Sequence, residues 1–273
     1  EYPQFSVPPQ IVAALRHSGF DTCSTASNHT LDVGEKGVYR TLDVLDAAGL
    51  RHAGSHRSAD EHKTPMLLTV KGVRVAQLSY TFGFNGLRRP AGKPWIANLI
   101  DAEVILTEAR RARTAGAAIV VVSLHWGTEY DHRATPVQVS LARRLLASPD
   151  VDLILGHHAH VVQPFEEING KWVAYGMGNE IAYQSTKEPA RHEGVMPRFT
   201  FTEFAPGRWK VTTVEAFGTW IAVSPQVRIV DLAAVIADAR TPDARRSAYL
   251  ATLRRIEGYV ESRGAVVTVP GLS

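Results

Sequence analysis

Three histidines, His157, His158 and His160, fall within four positions of the stretch Ile154-Leu155-Gly156-His157-His158-Ala159-His160-Val161. The chain holds only 11 histidines in 273 residues, so this grouping points to chemistry rather than to a solvated surface. Neutral imidazole is a common ligand of transition metals. Two histidines spaced H-x-H at a strand end can aim at one centre. Side chains alternate along an extended segment, so His158 and His160 pair while His157 turns away from them. Two further segments have the same form. Ser27-Asn28-His29-Thr30-Leu31-Asp32-Val33-Gly34 follows a short strand signal at 20–25, and Ser123-Leu124-His125-Trp126-Gly127-Thr128-Glu129-Tyr130 follows a β-branched run at 118–124. Ligands of open α/β sheets gather beyond the carboxyl ends of the strands. Asn28, His125, His158 and His160 are therefore predicted to converge on a metal.

The elements that must position these groups alternate between strands and helices. Helical spacing covers 11–17, 37–48, 102–115, 136–147 and 242–263, with Gly19, Gly49 and Gly116 as stops for the first three. Strand patterns cover 67–70 and 73–80 around the turn dipeptide Lys71-Gly72, then 118–124 and 151–155. That alternation predicts an α/β sheet with helical crossovers. After residue 172 strands dominate, at 172–175, 198–204 and 209–217. Residues 1–222 read as one domain, and 223–273 as a helical tail packed on it.

Composition excludes several function classes. A formal charge of +3 with scattered Lys and Arg gives no nucleic-acid or membrane-surface patch, and no basic groove studded with aromatics is present. Cys23 is the single cysteine, which excludes an intramolecular disulfide and leaves the compartment open. No apolar stretch reaches the ~20 residues of a membrane span. His17, His52, His56, His62, His132 and His192 read as solvated or structural. Arg110-Arg111, Arg143-Arg144 and Arg245-Arg246 read as solvated helix faces, and Trp126 as a wall beside the site.

Taken in order, these motifs resemble the CapA-type capsule-synthesis family, a branch of the calcineurin-like metallophosphatases associated with poly-γ-glutamate. Ser27 to Gly34 is similar to its A-N-N-H-x-x-D-x-G block, and Ser123 to Tyr130 to its S-L-H-W-G-x-E-Y block. Gly156-His157-His158-Ala159-His160-Val161-Val162-Gln163 and Tyr175-Gly176-Met177-Gly178-Asn179 resemble the last two. The resemblance covers residues 5–205 and implies a four-layer α/β/β/α sandwich. It implies two divalent ions in the complete protein, manganese, iron or zinc, with Asn28, His125 and His158 on one and His160 on the other. His29 matches the histidine that protonates a leaving oxygen, and Asp32 is placed to orient and charge-support it. Glu129, His157 and Asn179 fall to supporting or substrate-facing positions.

One departure carries a consequence. The family places a strand ending in Gly-Asp, then an Asn-Leu-Glu segment, well before the Asn-His block. Here 26 residues precede Ser27 and contain neither. The expectation is that this N-terminal part is absent from this chain, and Glu129 and Asp131 are the nearest alternative carboxylates. Neutral ligands alone do not offset the repulsion between two dications, so weak or single-ion binding is expected. Two function classes follow: a phosphoesterase acting on a phosphate ester or an anionic-polymer substrate, or a non-catalytic accessory subunit of a polymer-synthesis machine. The resemblance implies an extracytoplasmic, cell-surface setting with other capsule-synthesis subunits as partners.

Overall fold

A computed structural model describes residues 4–182 and 188–272. The chain divides into two compact units, residues 1–125 with 148–152, and residues 126–147 with 153–273.

In the first unit, helix α1 (Gln10–His17) precedes strand β1 (Thr22–Ser24), helix α2 (Gly34–Ala47) and strand β2 (Arg51–Ala53). Strands β1 and β2 pair in parallel, and the crossover between them is α2. Val38, Leu42 and Leu45 recur at helical spacing along α2 and are buried. Helix α3 (Ala59–Lys63) is started by Ser58, whose side chain accepts from Glu61 N. Strands β3 (Leu67–Val70) and β4 (Val73–Thr81) form the expected hairpin, with Lys71 and Gly72 both at positive φ. Helix α4 (Ala102–Thr114) is capped by Asp101, buries Ile105, Ala109 and Ala112, and carries the chain into β5 (Ile119–His125). Strand β5 lies parallel to β4, with Thr81 opposite His125. Asp152 belongs to this unit because its carboxylate accepts from Val120 N at 2.7 Å and pairs with Arg113 at 2.5 Å.

In the second unit, helix α5 (Pro136–Leu146) begins with a reciprocal capping box between Thr135 and Gln138 and has Pro136 in its first turn. Strand β6 (Leu153–His157) runs parallel to β8 (Lys171–Ala174), which pairs antiparallel with β7 (Phe165–Ile168). A long hairpin, β9 (Glu193–Ala205) and β10 (Arg208–Ala222), takes a third antiparallel strand, β11 (Arg228–Asp231). Helix α6 (Leu232–Ala237) follows, then α7 (Asp243–Glu261), which buries Leu253, Ile256 and Val260. Gly218 of β10 admits α7 closely, since a Cβ there would lie 2.4 Å from Leu253 Cδ1.

The structure departs from the sequence reading at β2, α3, β7, β11 and α6, all short elements whose patterns are too brief to carry a period. Strand β11 lies inside the stretch 223–273 that reads from sequence as helical, and it is held by pairing with β10. Among the described residues no helix is long and apolar enough to cross a membrane.

Candidate metal centre

The loop after β1 and the end of β5 bring Asn28 and His125 together within the first unit. His125 Nε2–H donates to Asn28 Oδ1 at 2.9 Å, between residues 97 apart in sequence. Asn28 is buried, and its Nδ2 donates to Asn85 Oδ1 at 3.2 Å, which leaves the amide oxygen for His125. Phe82 stacks nearly parallel to the His125 ring at 6.4 Å, and its backbone N–H donates to His125 O. His29 Nδ1–H donates to Asp32 Oδ2 at 2.7 Å, and the Asp32 side chain is 2% exposed. The same oxygen accepts from Phe5 N at 2.8 Å, and the Phe5 ring meets His29 edge-on at 4.7 Å. Committing Nδ1 to the carboxylate leaves the other ring nitrogen of His29 as the one that can act on a substrate.

In the second unit His158 and His160 sit in the turn after β6. Both lie at positive φ, +92° and +58°, where residues with a Cβ are rare, so the turn holds strain that its surroundings must offset. Their ring centroids are 6.4 Å apart. His160 Nδ1–H donates to Asn179 Oδ1 at 2.8 Å, while Asn179 Nδ2 donates to His160 O at 3.1 Å and to Arg191 O at 2.9 Å. Holding Nδ1 in this way fixes the tautomer and leaves Nε2 with the lone pair, the usual arrangement behind a metal-binding histidine.

The remaining expected residues have other surroundings. His157 ends β6, its buried Nε2 makes no hydrogen bond, and burial lowers its pKa to about 4. It is neutral at pH 7. Trp126 is buried, stacks on Tyr175 and donates from Nε1 to Tyr175 O at 2.9 Å. That bond requires Gly156, where a Cβ would lie 1.9 Å from the accepting oxygen. Gln163, fully buried, donates to Asp131 O and Arg133 O and so shapes the loop behind Trp126. Glu129 is exposed. Asp131 is engaged by Arg133 through Nε and Nη2 at 3.1 Å each, and that hydrogen bonding lowers its pKa.

Among the described residues no group of three or more His, Cys, Asp or Glu side chains is arranged to hold a metal ion. The local pairs do suit a cation. Asn28 Oδ1 and His125 Nε2, 2.9 Å apart, match the ~3 Å between adjacent ligands of a six-coordinate ion with bonds of ~2.1 Å.

The description "Bacterial capsule synthesis protein PGA_cap" belongs to a family model that matches residues 1–184. The chain belongs to this family. It is 32% identical over 192 residues to the capsule biosynthesis protein CapA of Bacillus anthracis, covering 68% of this chain and 46% of that protein. It is 30% identical over 206 residues to the PGA biosynthesis protein CapA of Bacillus subtilis, covering 75% and 53%. A polyglutamine synthesis accessory protein of Mycobacterium tuberculosis is 27% identical over 188 residues, covering 65% and 49%. The chain thus spans about half the length of the curated relatives it matches. Among solved structures, the 5'-nucleotidase precursor of Thermus thermophilus aligns with a TM-score of 0.51 and 16% identity, over 91% of this chain and 45% of that one. A Staphylococcus aureus protein described as a 5'-nucleotidase, crystallised with alpha-ketoglutarate, gives 0.52 and 18% over 91% and 44%. This PGA_cap member therefore has the α/β fold of the metallophosphatases.

Sequence reasoning missed Asn85, Tyr130 and Arg191 as neighbours of the candidate ligands. Asn85 sits in a Gly-rich loop with no period. Tyr130 was visible only as the last letter of the His125 motif, and Arg191 lies in a short 3₁₀ turn, Pro189–Arg191.

Proposed function

We propose that this PGA_cap chain is a metal-dependent phosphoesterase-type protein serving bacterial capsule or poly-γ-glutamate synthesis, with Asn28, His125, His158 and His160 as ligands of divalent cations. The observation that carries the reading is the Asn28–His125 pair, whose Oδ1 and Nε2 lie at the separation of adjacent positions on one ion, a cation replacing the hydrogen bond once the His125 proton moves to Nδ1. The His160–Asn179 bond supports it from the second unit, because it reserves Nε2 of His160 for coordination. A bound divalent cation supplies Lewis-acid polarisation of a phosphoryl oxygen and activation of water near neutral pH. His29 holds the proton for a leaving oxygen, and Asp32 fixes its tautomer and offsets its charge when protonated. The setting we propose is extracytoplasmic. The partners we propose are other capsule-synthesis subunits, in line with the capsule-biosynthesis and accessory-protein names of the Bacillus and Mycobacterium relatives.

A second reading, a non-catalytic accessory subunit, is favoured by the name of the Mycobacterium relative. Metal analysis of purified chain, followed by hydrolysis of mono- and di-p-nitrophenyl phosphate with manganese, iron or zinc, separates the two. The enzymatic reading expects bound metal and turnover that falls in His29→Ala. Bound metal with no turnover in the wild-type chain would leave the accessory role.

A further inference from the structure

Beside His160 stands a permanently charged group that the proposed chemistry has not used. The guanidinium carbon of Arg191 lies over the Tyr130 ring, 3.9 Å from its centroid. The Tyr130 ring in turn stacks on His160 at 5.9 Å with planes 25° apart. Three features show that the stack is built. Tyr130 adopts φ +64°, a costly backbone for an aromatic residue, and its N–H donates to Ala159 O at 2.7 Å. Asn179 ties the backbone of Arg191 to that of His160 through one amide nitrogen. The Arg191 Nε–H is buried yet makes no hydrogen bond, although Glu188 Oε2 lies 3.2 Å away. An ion pair with a glutamate side chain that is 67% exposed contributes little and is readily exchanged.

We propose that Arg191, braced by Tyr130, is an oxyanion-binding residue beside His160 in the second unit, receiving a phosphate or carboxylate group of the substrate. The chemistry fits on each count. A planar guanidinium presents paired N–H donors that match the oxygens of phosphate or carboxylate. Resting on an aromatic face keeps that plane oriented without consuming its in-plane donors. The buried Nε–H is a donor without a hydrogen bond, facing only an exposed glutamate at ion-pair distance, and an incoming oxyanion can exchange with that carboxylate and supply the missing bond. This inference rests on the functional reading only for the word substrate. The anion site itself is a property of the second unit.

The test uses the full metal-free chain and two probes, inorganic phosphate and glutarate, followed through the Arg191 Nε–H NMR resonance and by calorimetry. A saturable shift of that resonance is expected, with affinity falling at least fivefold in Arg191→Met, less in Arg191→Lys, and not at all in Arg143→Met. A response to phosphate alone assigns the group as a phosphate ester, and a response to glutarate alone assigns it as a carboxylate-bearing polymer. An unmoved resonance with both probes, or equal affinity in Arg191→Met, overturns the proposal. Because no metal is present, absent metal binding or absent hydrolysis leaves this result standing. Conversely, hydrolysis whose KM ignores Arg191→Met would sink the inference and spare the enzyme reading.

Discussion

The two sets of candidate ligands are held in opposite ways. Asn28 and His125 come from segments 97 residues apart and are fastened by a chain of amides, Asn85 to Asn28 to His125. Neither residue sits at positive φ. His158 and His160 are two positions apart, and both occupy the left-handed region. The first pair is assembled by packing, and its backbone is relaxed. The second is assembled by a strained turn held by Asn179 and Tyr130. A site formed by packing fails when the fold loosens, whereas a site formed by strain fails when its brace is removed.

The sharpest way to break this comparison is to delete ligands on each side. His125→Ala and His158→Ala should each lower metal affinity by more than about 100-fold, since loss even of a supporting partner costs 10–100-fold. His157→Ala should retain metal, because its imidazole points into the protein rather than beside His158. Equal loss in His157→Ala and His158→Ala, read by metal titration, would reverse the assignment. Next in size is the proton donor. His29→Ala should leave metal content intact and slow phosphoester hydrolysis by about 10²–10⁴-fold, the range of a positioned general acid. If that variant sheds its metal, His29 belongs among the ligands.

The braces sharpen the contrast directly. Asn179→Ala removes three hydrogen bonds around a strained turn and should weaken metal binding by roughly 10–100-fold. Asn85→Ala removes one 3.2 Å bond behind a relaxed pair and should cost less, about tenfold or below. Titrations showing the larger loss in Asn85→Ala would invert the account given above.

The smallest effect is on acid stability, where the units should behave alike. Burial lowers both His56, in the first unit, and His157, in the second, to about 4. The ordinary value is 6.5, so the unfolded chain takes up these protons first as pH falls. Each group's contribution is whole above pH 6.5 and is lost as pH falls towards 4. Each should cost about 3 kcal/mol across that window, because a fall from 6.5 to about 4 is worth ~1.4 kcal/mol per pH unit. Denaturant midpoints of metal-free His56→Gln and His157→Gln at pH 7 and pH 4.5 should show a flatter pH dependence than wild type. Unchanged slopes would mean that other groups set the acid limit.

Much of this molecule could be read in advance where a pattern is long or a residue type is chemically committed. The stripe along α2, the Lys71-Gly72 hairpin, the β-branched run of β5 and the helical spacing of α5 each rest on local rules of period and turn. The histidine-bearing strand ends were legible for the same reason, since a strand signal followed at once by Gly and His is local information. The short elements β2, β7 and β11 were not legible. Three or four residues carry no period, and pairing with a distant partner determines their state.

What the amino-acid order determined by itself was therefore the family motifs, the strand ends that bear them and the residue types able to bind metal or move a proton. Only the tertiary structure decided which atom of each group is presented. The Asn28 oxygen rather than its nitrogen faces His125 because Asn85 takes the nitrogen. Asp32 is reserved for His29 and the Phe5 amide. Asp131 accepts from Arg133, and the Arg191 guanidinium is placed over Tyr130 beside His160. The physical reason is common to all four. A polar side chain's direction is set by whichever donor or acceptor packing brings within about 3 Å, and no spacing rule along the chain encodes that neighbour.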